Sequence, residues 1–107
     1  MTLKITKDSF ENEVIQASNQ KPVLVDFFAQ WCMPCKMMSP ILDDLSEKLD
    51  ASAIVAKVDV DEERELASQF DVMSIPALFI FKNGKIVETI VGMQSAEQLE
   101  SLLGKHK

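Results

Sequence analysis

Hydrophobic residues in the first half of the chain alternate between runs typical of strands and stripes at helical spacing. Leu3 and Ile5 indicate a short first strand, and residues 53–58 indicate a later one. Residues 23–29 are apolar on both faces apart from Asp26, which is typical of a central strand covered on both sides. The pattern therefore predicts strands in the middle of a sheet, with helices between them.

Four helices are predicted, beginning near residues 8, 34, 62 and 95 and ending near residues 17, 49, 70 and 104. Asp8 and Glu11 resemble a helix-starting cap, and so do Ser95 and Gln98. Gly104 suits the C-cap of the last helix. The expected buried stripes are Phe10, Val14 and Ala17 in the first helix, Met38, Ile41, Leu42, Leu45 and Leu49 in the second, and Leu99, Leu102 and Leu103 in the last.

A tight hairpin is predicted in the last third of the chain. Two strand-like runs, residues 77–81 and 85–91, flank Asn83-Gly84, a pair that favours a two-residue turn. The element order is βαβαβ, then a connecting helix, then ββα. We therefore expect an α/β fold with a central mixed five-stranded sheet, parallel in its first half, and helices on both faces. No repeat or linker is visible, so residues 1–107 are expected to form a single domain.

Charge and composition restrict the classes of partner. Eleven basic residues against seventeen acidic ones give a net charge of −6, which argues against a nucleic-acid partner because phosphate binding needs a concentrated positive patch. The longest apolar runs fall short of the roughly 18 residues that a membrane span needs. The first eight residues contain no apolar segment of a secretory signal. A cytoplasmic location without membrane attachment is therefore expected.

Cys32 and Cys35 are the only cysteines of the chain. A structural disulfide is unexpected without an export signal, because cytosolic thiols are kept reduced, and so short a loop would constrain the unfolded chain little. A structural zinc ion needs four ligands, and His106 is the only other candidate, so zinc would require a second chain. The pair is therefore interpreted as a dithiol/disulfide couple that turns over, with no metal.

Several further segments surround this pair. They are Val25-Asp26-Phe27, Trp31-Cys32-Met33-Pro34-Cys35-Lys36, Pro40, Asp59-Val60-Asp61, Ser74-Ile75-Pro76, Phe81-Lys82-Asn83-Gly84 and Val91-Gly92. Together with the C-x-x-C motif near a βαβ pattern, they resemble the thioredoxin family over essentially the whole chain. The resemblance implies the thioredoxin fold and protein-disulfide reductase activity on many protein substrates. It also implies a monomer with no cofactor beyond its redox-active disulfide, which receives electrons from NADPH through thioredoxin reductase.

The two cysteines are expected to have different roles. Cys32 lies where a central strand ends and a helix begins, so unpaired backbone N–H groups and the helix dipole favour its thiolate. Cys35 lies three residues further on, on the same helical face and within bridging reach. We expect Cys32, the outer sulfur, to attack a substrate disulfide and the more buried Cys35 to resolve the mixed disulfide. Pro34 fits the first helical turn, where a missing N–H costs little.

Asp26 is unusual because a carboxylate within an apolar strand must lose its charge or find a partner. One interpretation is an ion pair with Lys57, which also interrupts an apolar strand. The other is that burial raises the pKa of Asp26, so that it exchanges protons with Cys35 while Lys57 modulates it. The resemblance favours proton exchange, because the matching aspartate has that role in the family.

Ile75-Pro76 comes just before the predicted hairpin. A proline there is usually simple turn punctuation, but the resemblance implies a cis peptide bond in a loop beside the cysteines. The backbone of Ile75 would then pair with an extended substrate segment, and main-chain bonds would allow many substrates. The residues expected to bind substrate are Trp31, Met33, Pro34, Ile75, Pro76 and Gly92.

Four methionines fall in or beside segments that surround the site in the family. Methionine is usually core filler, as expected for Met38, but adaptable thioether surface would also suit a protein that docks many partners. Both interpretations stay open for this group. Its members are Met33, Met37, Met73 and Met93.

The chain departs from the family pattern at Met33, where glycine is usual, at Phe28, where tryptophan is common, and at Ala77, where threonine is common. Because the residues between the cysteines help to set the reduction potential, an oxidase or isomerase is the alternative within redox chemistry. A binding module without turnover is a second alternative. Intact Cys32 and Cys35, together with the buried acid and the proline, argue against it.

Overall fold

A computed structural model describes residues 2–107. Its centre is a mixed five-stranded sheet with the strand order β1-β3-β2-β4-β5. The fold class and the strand number predicted from the sequence are confirmed. The strands are β1 (Leu3–Lys4), β2 (Val23–Phe28), β3 (Ile54–Asp59), β4 (Ala77–Lys82) and β5 (Lys85–Val91).

Strand β2 lies in the middle of the sheet. It pairs in parallel with β3 and antiparallel with β4, and β3 pairs in parallel with β1. The register sets Asp26 beside Lys57 on one neighbour and beside Leu78 on the other. The parallel first half follows from the helical crossovers, and the antiparallel half follows from the hairpin between β4 and β5.

Helices lie between and after the strands. They are α1 (Lys7–Phe10), which continues as a π-helical segment (Glu11–Gln16) and a 3₁₀ turn (Ala17–Asn19), α2 (Met33–Lys48), α3 (Arg64–Gln69) and α4 (Ala96–Gly104). Among residues 2–107, no helix is long and apolar enough to cross a membrane.

Two of the predicted helix ends are wrong. Helix α1 is capped by Thr6, whose hydroxyl accepts a hydrogen bond from the Ser9 backbone N–H, and Asp8 already lies in the first turn. Gly104 is the last residue of α4 and not its C-cap. Lys105 caps the helix with an ordinary φ of −67°, because the backbone N–H groups after Gly104 close tight turns onto Leu102 and Leu103. The Ser95–Gln98 capping box is confirmed.

Apolar side chains cover both faces of the sheet. Alternate residues of β2 point to opposite faces, so Leu24 packs beneath α2 and α4 while Val25 packs against the segment after β1. The expected stripes are buried except for Ala17, Ile41 and Leu102, which are half-buried. Asp26 shares the α2 face with Leu24, because the two residues are two positions apart along the strand.

The hairpin turn forms as expected. Asn83 and Gly84 have φ angles of 55° and 79°, the left-handed values that a two-residue turn requires. Ser18, which is fully buried, holds this turn: its hydroxyl accepts a hydrogen bond from the Gly84 N–H at 2.8 Å and donates one to the Ile15 carbonyl at 2.7 Å.

Candidate active site

Cys32 and Cys35 form a disulfide at the start of α2. Cys32 is the N-cap of the helix, and its Sγ accepts a hydrogen bond from the Cys35 backbone N–H at 3.2 Å. Pro34 lies in the first helical turn, where it removes no intrahelical hydrogen bond. The sequence-based position of the pair, between a central strand and a helix N-terminus, is confirmed.

Both cysteines of the disulfide are almost completely buried. Cys32 is 5% exposed and Cys35 is 3% exposed, so their difference in exposure is smaller than the expected division into an outer and an inner sulfur. Ala29 and the two cysteines form a small cluster, against which Phe28, Val60 and Ile75 pack. A substrate must therefore approach Cys32 closely, along a restricted direction.

The loop before β4 forms one wall of the site. The Ile75–Pro76 peptide bond is cis, as the resemblance implies. The Gly92 backbone N–H donates to the Pro76 carbonyl at 2.8 Å, and Gly92 has a left-handed φ of 94°. The fold thus brings Ile75, Pro76 and Gly92 to the side of the disulfide, although they are distant from it in sequence.

Large apolar side chains surround this wall and the helix start. Trp31 is 69% exposed, and its indole N–H donates to Asp61 Oδ2 at 2.9 Å. Met38 is fully buried, so the core interpretation applies to it. The exposed methionines are Met33, Met37, Met73 and Met93. These four do not fill the core, and only the surface interpretation stays open for them.

Asp26 is fully buried, and neither carboxyl oxygen has a hydrogen-bond partner in the part of the chain that the structure describes. Burial raises its pKa from 3.8 to about 7, because the apolar surroundings disfavour the charged form, and this outweighs the charge of Lys57, which lowers the pKa. The ion-pair interpretation is wrong. Within residues 2–107, the Lys57 ammonium contacts the Ser39 hydroxyl at 3.0 Å and lies 4.7 Å from the centre of the Phe28 ring.

A cleft of about 230 Å³ lies beside the disulfide. Cys35 and Lys57 both line it, so it joins the second cysteine to the lysine whose strand neighbour is Asp26. The complete lining is Phe28, Ala29, Gln30, Cys35, Lys36, Ser39 and Lys57.

The described part of the chain does not bring together a metal site. Residues 2–107 contain no group of three or more His, Cys, Asp or Glu side chains that could hold a metal ion. His106, the other candidate zinc ligand, contacts Glu88 Oε2 through Nε2 at 2.7 Å.

Residues 1–105 match the sequence profile of the family described as Thioredoxin. The chain belongs to the thioredoxin family. It is 45% identical to "Thioredoxin" of Alicyclobacillus acidocaldarius subsp. acidocaldarius over 95% of this chain and 94% of that protein. It is 43% identical to "Thioredoxin" of Porphyra purpurea over 96% and 94% of the two chains. It is 42% identical to "Thioredoxin" of Bacillus subtilis strain 168 over 97% and 96%.

Membership of this family, together with a disulfide between Cys32 and Cys35, assigns the activity. The protein is a thiol-disulfide oxidoreductase that reduces protein disulfides. Disulfide substrates and a reductase partner are general properties of the family. One side chain beside the site, Ser39, was not singled out from the sequence, and Asp61 was named only as part of the segment Asp59-Val60-Asp61. The only sequence signal for Ser39 is its spacing of four residues from Cys35, which sets both on one helical face.

Proposed function

We propose that Cys32 is the attacking thiolate and that Cys35 is the resolving thiol. The observation that carries this proposal is the N-cap position of Cys32, where Sγ accepts the Cys35 backbone N–H and faces the positive end of the helix dipole. The same surroundings would stabilise a negative charge on Cys32 in the dithiol form. Cys35 lies three residues further into the helix, within its first turn.

The exchange then proceeds in two steps. The Cys32 thiolate attacks one sulfur of the substrate disulfide, forms a mixed disulfide and releases the first substrate thiolate. Cys35 loses its proton and attacks Cys32 Sγ, which releases the second substrate thiolate and closes the Cys32–Cys35 disulfide. The substrate gains two electrons, and the protein dithiol loses them.

Asp26 is proposed to accept the Cys35 proton. A carboxyl with a pKa of about 7 is present in both protonation states near neutral pH, which suits a group that takes and returns a proton. The cleft supports this role because it connects Cys35 with Lys57, the strand neighbour of Asp26. Lys57 would modulate the acid through its charge.

The surface around the disulfide is proposed to bind substrate. The Ile75 backbone would pair with an extended segment of the substrate, while Pro76 and Gly92 hold that loop in place. Trp31, Met33 and Pro34 would provide apolar contacts on the opposite side, since both Trp31 and Met33 are mostly exposed.

The proposal also includes the source of the electrons and the location of the protein in the cell. We propose that NADPH supplies electrons through thioredoxin reductase, and that the protein is a single-domain cytoplasmic monomer with no other cofactor. A reductase of this kind works where thiols are kept reduced. Its net charge of −6 does not favour a nucleic-acid partner.

Two matched variants test the cysteine roles. Cys32→Ser should abolish disulfide reduction, because the attacking sulfur is gone. Cys35→Ser should instead accumulate a covalent mixed disulfide with substrate, which non-reducing electrophoresis and mass spectrometry detect. Stable adducts recovered only from Cys32→Ser would reverse the assignment.

A further inference from the structure

Ser39 and Lys57 meet in the cleft beside the disulfide. The Lys57 Nζ lies 3.0 Å from the Ser39 Oγ and 4.7 Å from the centre of the Phe28 ring. Both side chains are half-buried. Hydroxyl and ring together define one position for the ammonium, because the hydroxyl accepts one of its hydrogen bonds and the ring face attracts its charge.

Asp26 and Lys57 are neighbours on β2 and β3, which makes this position of the ammonium unexpected. The pair two positions earlier in the register, Leu24 and Val55, packs beneath α2, and the alternation of side chains along a strand sets Asp26 and Lys57 on that same face. Asp26 is fully buried and has no hydrogen-bond partner among the described residues. A long, flexible lysine side chain on the adjacent strand would be the obvious partner for it.

We propose that Ser39 is a positioning residue whose hydroxyl holds the Lys57 ammonium along the cleft, away from the Asp26 carboxyl. This inference deepens the proposed function, because it concerns the acid that is proposed to exchange a proton with Cys35. A carboxylate and an ammonium in a weakly polar interior attract each other strongly. Without a competing acceptor on α2, the lysine would turn toward the carboxylate and stabilise its charged form.

The other groups around this pair leave Lys57 as the charge that matters. Cys35 is held in the disulfide, and the β4 neighbour of Asp26 is the apolar Leu78. On the far side of Lys57, Asp59 accepts backbone hydrogen bonds from the two residues that follow Val60. The remaining charged side chains near Lys57 are Lys36, which lines the same cleft, and Lys4 and Glu62, which form an ion pair and line a second cleft together with Lys57.

Removal of the Ser39 hydroxyl is the first test. In Ser39→Ala, the pKa of Asp26 should fall by about one pH unit or more, as expected when an opposite charge comes within a few ångströms. The pKa is read from the pH titration of the Asp26 side-chain carbon by NMR in the oxidised full-length protein, with Asp26→Asn used for assignment. The oxidised form keeps the cysteines from titrating.

Two control variants distinguish positioning from a general loss of polarity. Ser39→Thr retains the hydroxyl and should keep the parent titration. Ser46→Ala removes a buried serine from the same helix, away from Lys57, and should leave the titration unchanged. In a Lys57→Met background, Ser39→Ala should no longer lower the pKa of Asp26, because the ammonium that moves is absent.

The outcomes separate this inference from the proposed function. An unchanged titration in Ser39→Ala, or an equal fall in the Lys57→Met background, would overturn the positioning role. A fall that depends on Lys57 supports it. The pH profile of substrate disulfide reduction, measured on the same variants, reports on Asp26 itself. If the titration moves and the rate profile does not, Ser39 positions Lys57 as inferred, but Asp26 does not transfer the proton.

Discussion

Replacing Asp26 with alanine should stabilise the folded protein at neutral and mildly alkaline pH while slowing disulfide exchange. The carboxyl is fully buried and has no hydrogen-bond partner within residues 2–107, so its charged form is unfavourable in the folded state. The substitution removes this unfavourable charge. It also removes the group that is proposed to accept the Cys35 proton.

The expected magnitude follows from the two pKa values. The folded pKa of about 7 exceeds the ordinary value of 3.8, so between these pH values the folded state holds a proton that the unfolded state has released. The contribution of Asp26 to the free energy of unfolding is fully present below pH 3.8, decreases as the pH rises toward 7, and is lost above that pH. At roughly 1.4 kcal/mol per pH unit, the loss is about 4 kcal/mol. A small cavity in Asp26→Ala costs about 1 kcal/mol, which leaves a net gain of about 3 kcal/mol near pH 8.

Urea unfolding of parent and variant from pH 4 to pH 8 measures this difference. The advantage of Asp26→Ala should grow with pH and disappear near pH 4, because that pH is close to the unfolded pKa of 3.8 and the parent has lost little stability there. Asp59→Ala is the matched control. Asp59 is also buried, but its carboxylate accepts backbone N–H bonds from Asp61 at 2.9 Å and Glu62 at 3.3 Å. Its removal should therefore destabilise the protein by about 1–3 kcal/mol.

An Asp26→Ala variant that is less stable than the parent at pH 8 would refute an unpaired buried carboxylate, because loss of an ion pair would leave the Lys57 charge buried and unpaired. An increase in stability with unchanged turnover would support the burial argument and refute the proton-transfer role.

Two further predictions concern the hairpin that supports the site wall. Ser18→Ala should lower the free energy of unfolding by about 1–3 kcal/mol, because the Gly84 N–H loses its acceptor; urea unfolding checks this, and a loss under 0.5 kcal/mol, roughly the lower limit for one hydrogen bond, would contradict it. Gly84→Ala should cost about 1 kcal/mol from its φ of 79° alone, since the new methyl would meet Ile15 at an ordinary 3.8 Å. A thermal shift far beyond that cost would show a steric clash that the structure does not contain. Neither variant should change the reduction rate per folded molecule.

Local chemistry made much of the fold predictable. Asn83-Gly84 determines its own turn, and the apolar run around Asp26 reflects a strand covered on both faces. The predicted start of α1 was wrong because several polar residues near it could act as the N-cap. The extended backbone of Thr6 identifies it as the cap, and the sequence does not show that backbone conformation. The predicted C-cap at Gly104 was wrong because the helix end closes at Lys105 with an ordinary φ and with backbone hydrogen bonds to Leu102 and Leu103.

The site was predictable in part. The helix start locates Cys32 and Cys35, and the isolated carboxylate indicates a buried acid at position 26. The direction of the Lys57 side chain was not predictable, since strand alternation sets it beside Asp26 and gives no sign of Ser39 on the opposing helix. The cis peptide bond before Pro76 was predicted from the resemblance to the family and not from the spacing of residues.

Reduction of insulin disulfides by the dithiol form, coupled to thioredoxin reductase and NADPH, is the most direct test of the assigned activity. The parent should consume NADPH in proportion to the disulfides reduced and turn over many times, while Cys32→Ser should stay at the background rate. A parent protein that holds a reducible Cys32–Cys35 pair and still leaves insulin oxidised under these conditions would contradict the assignment as a protein-disulfide reductase.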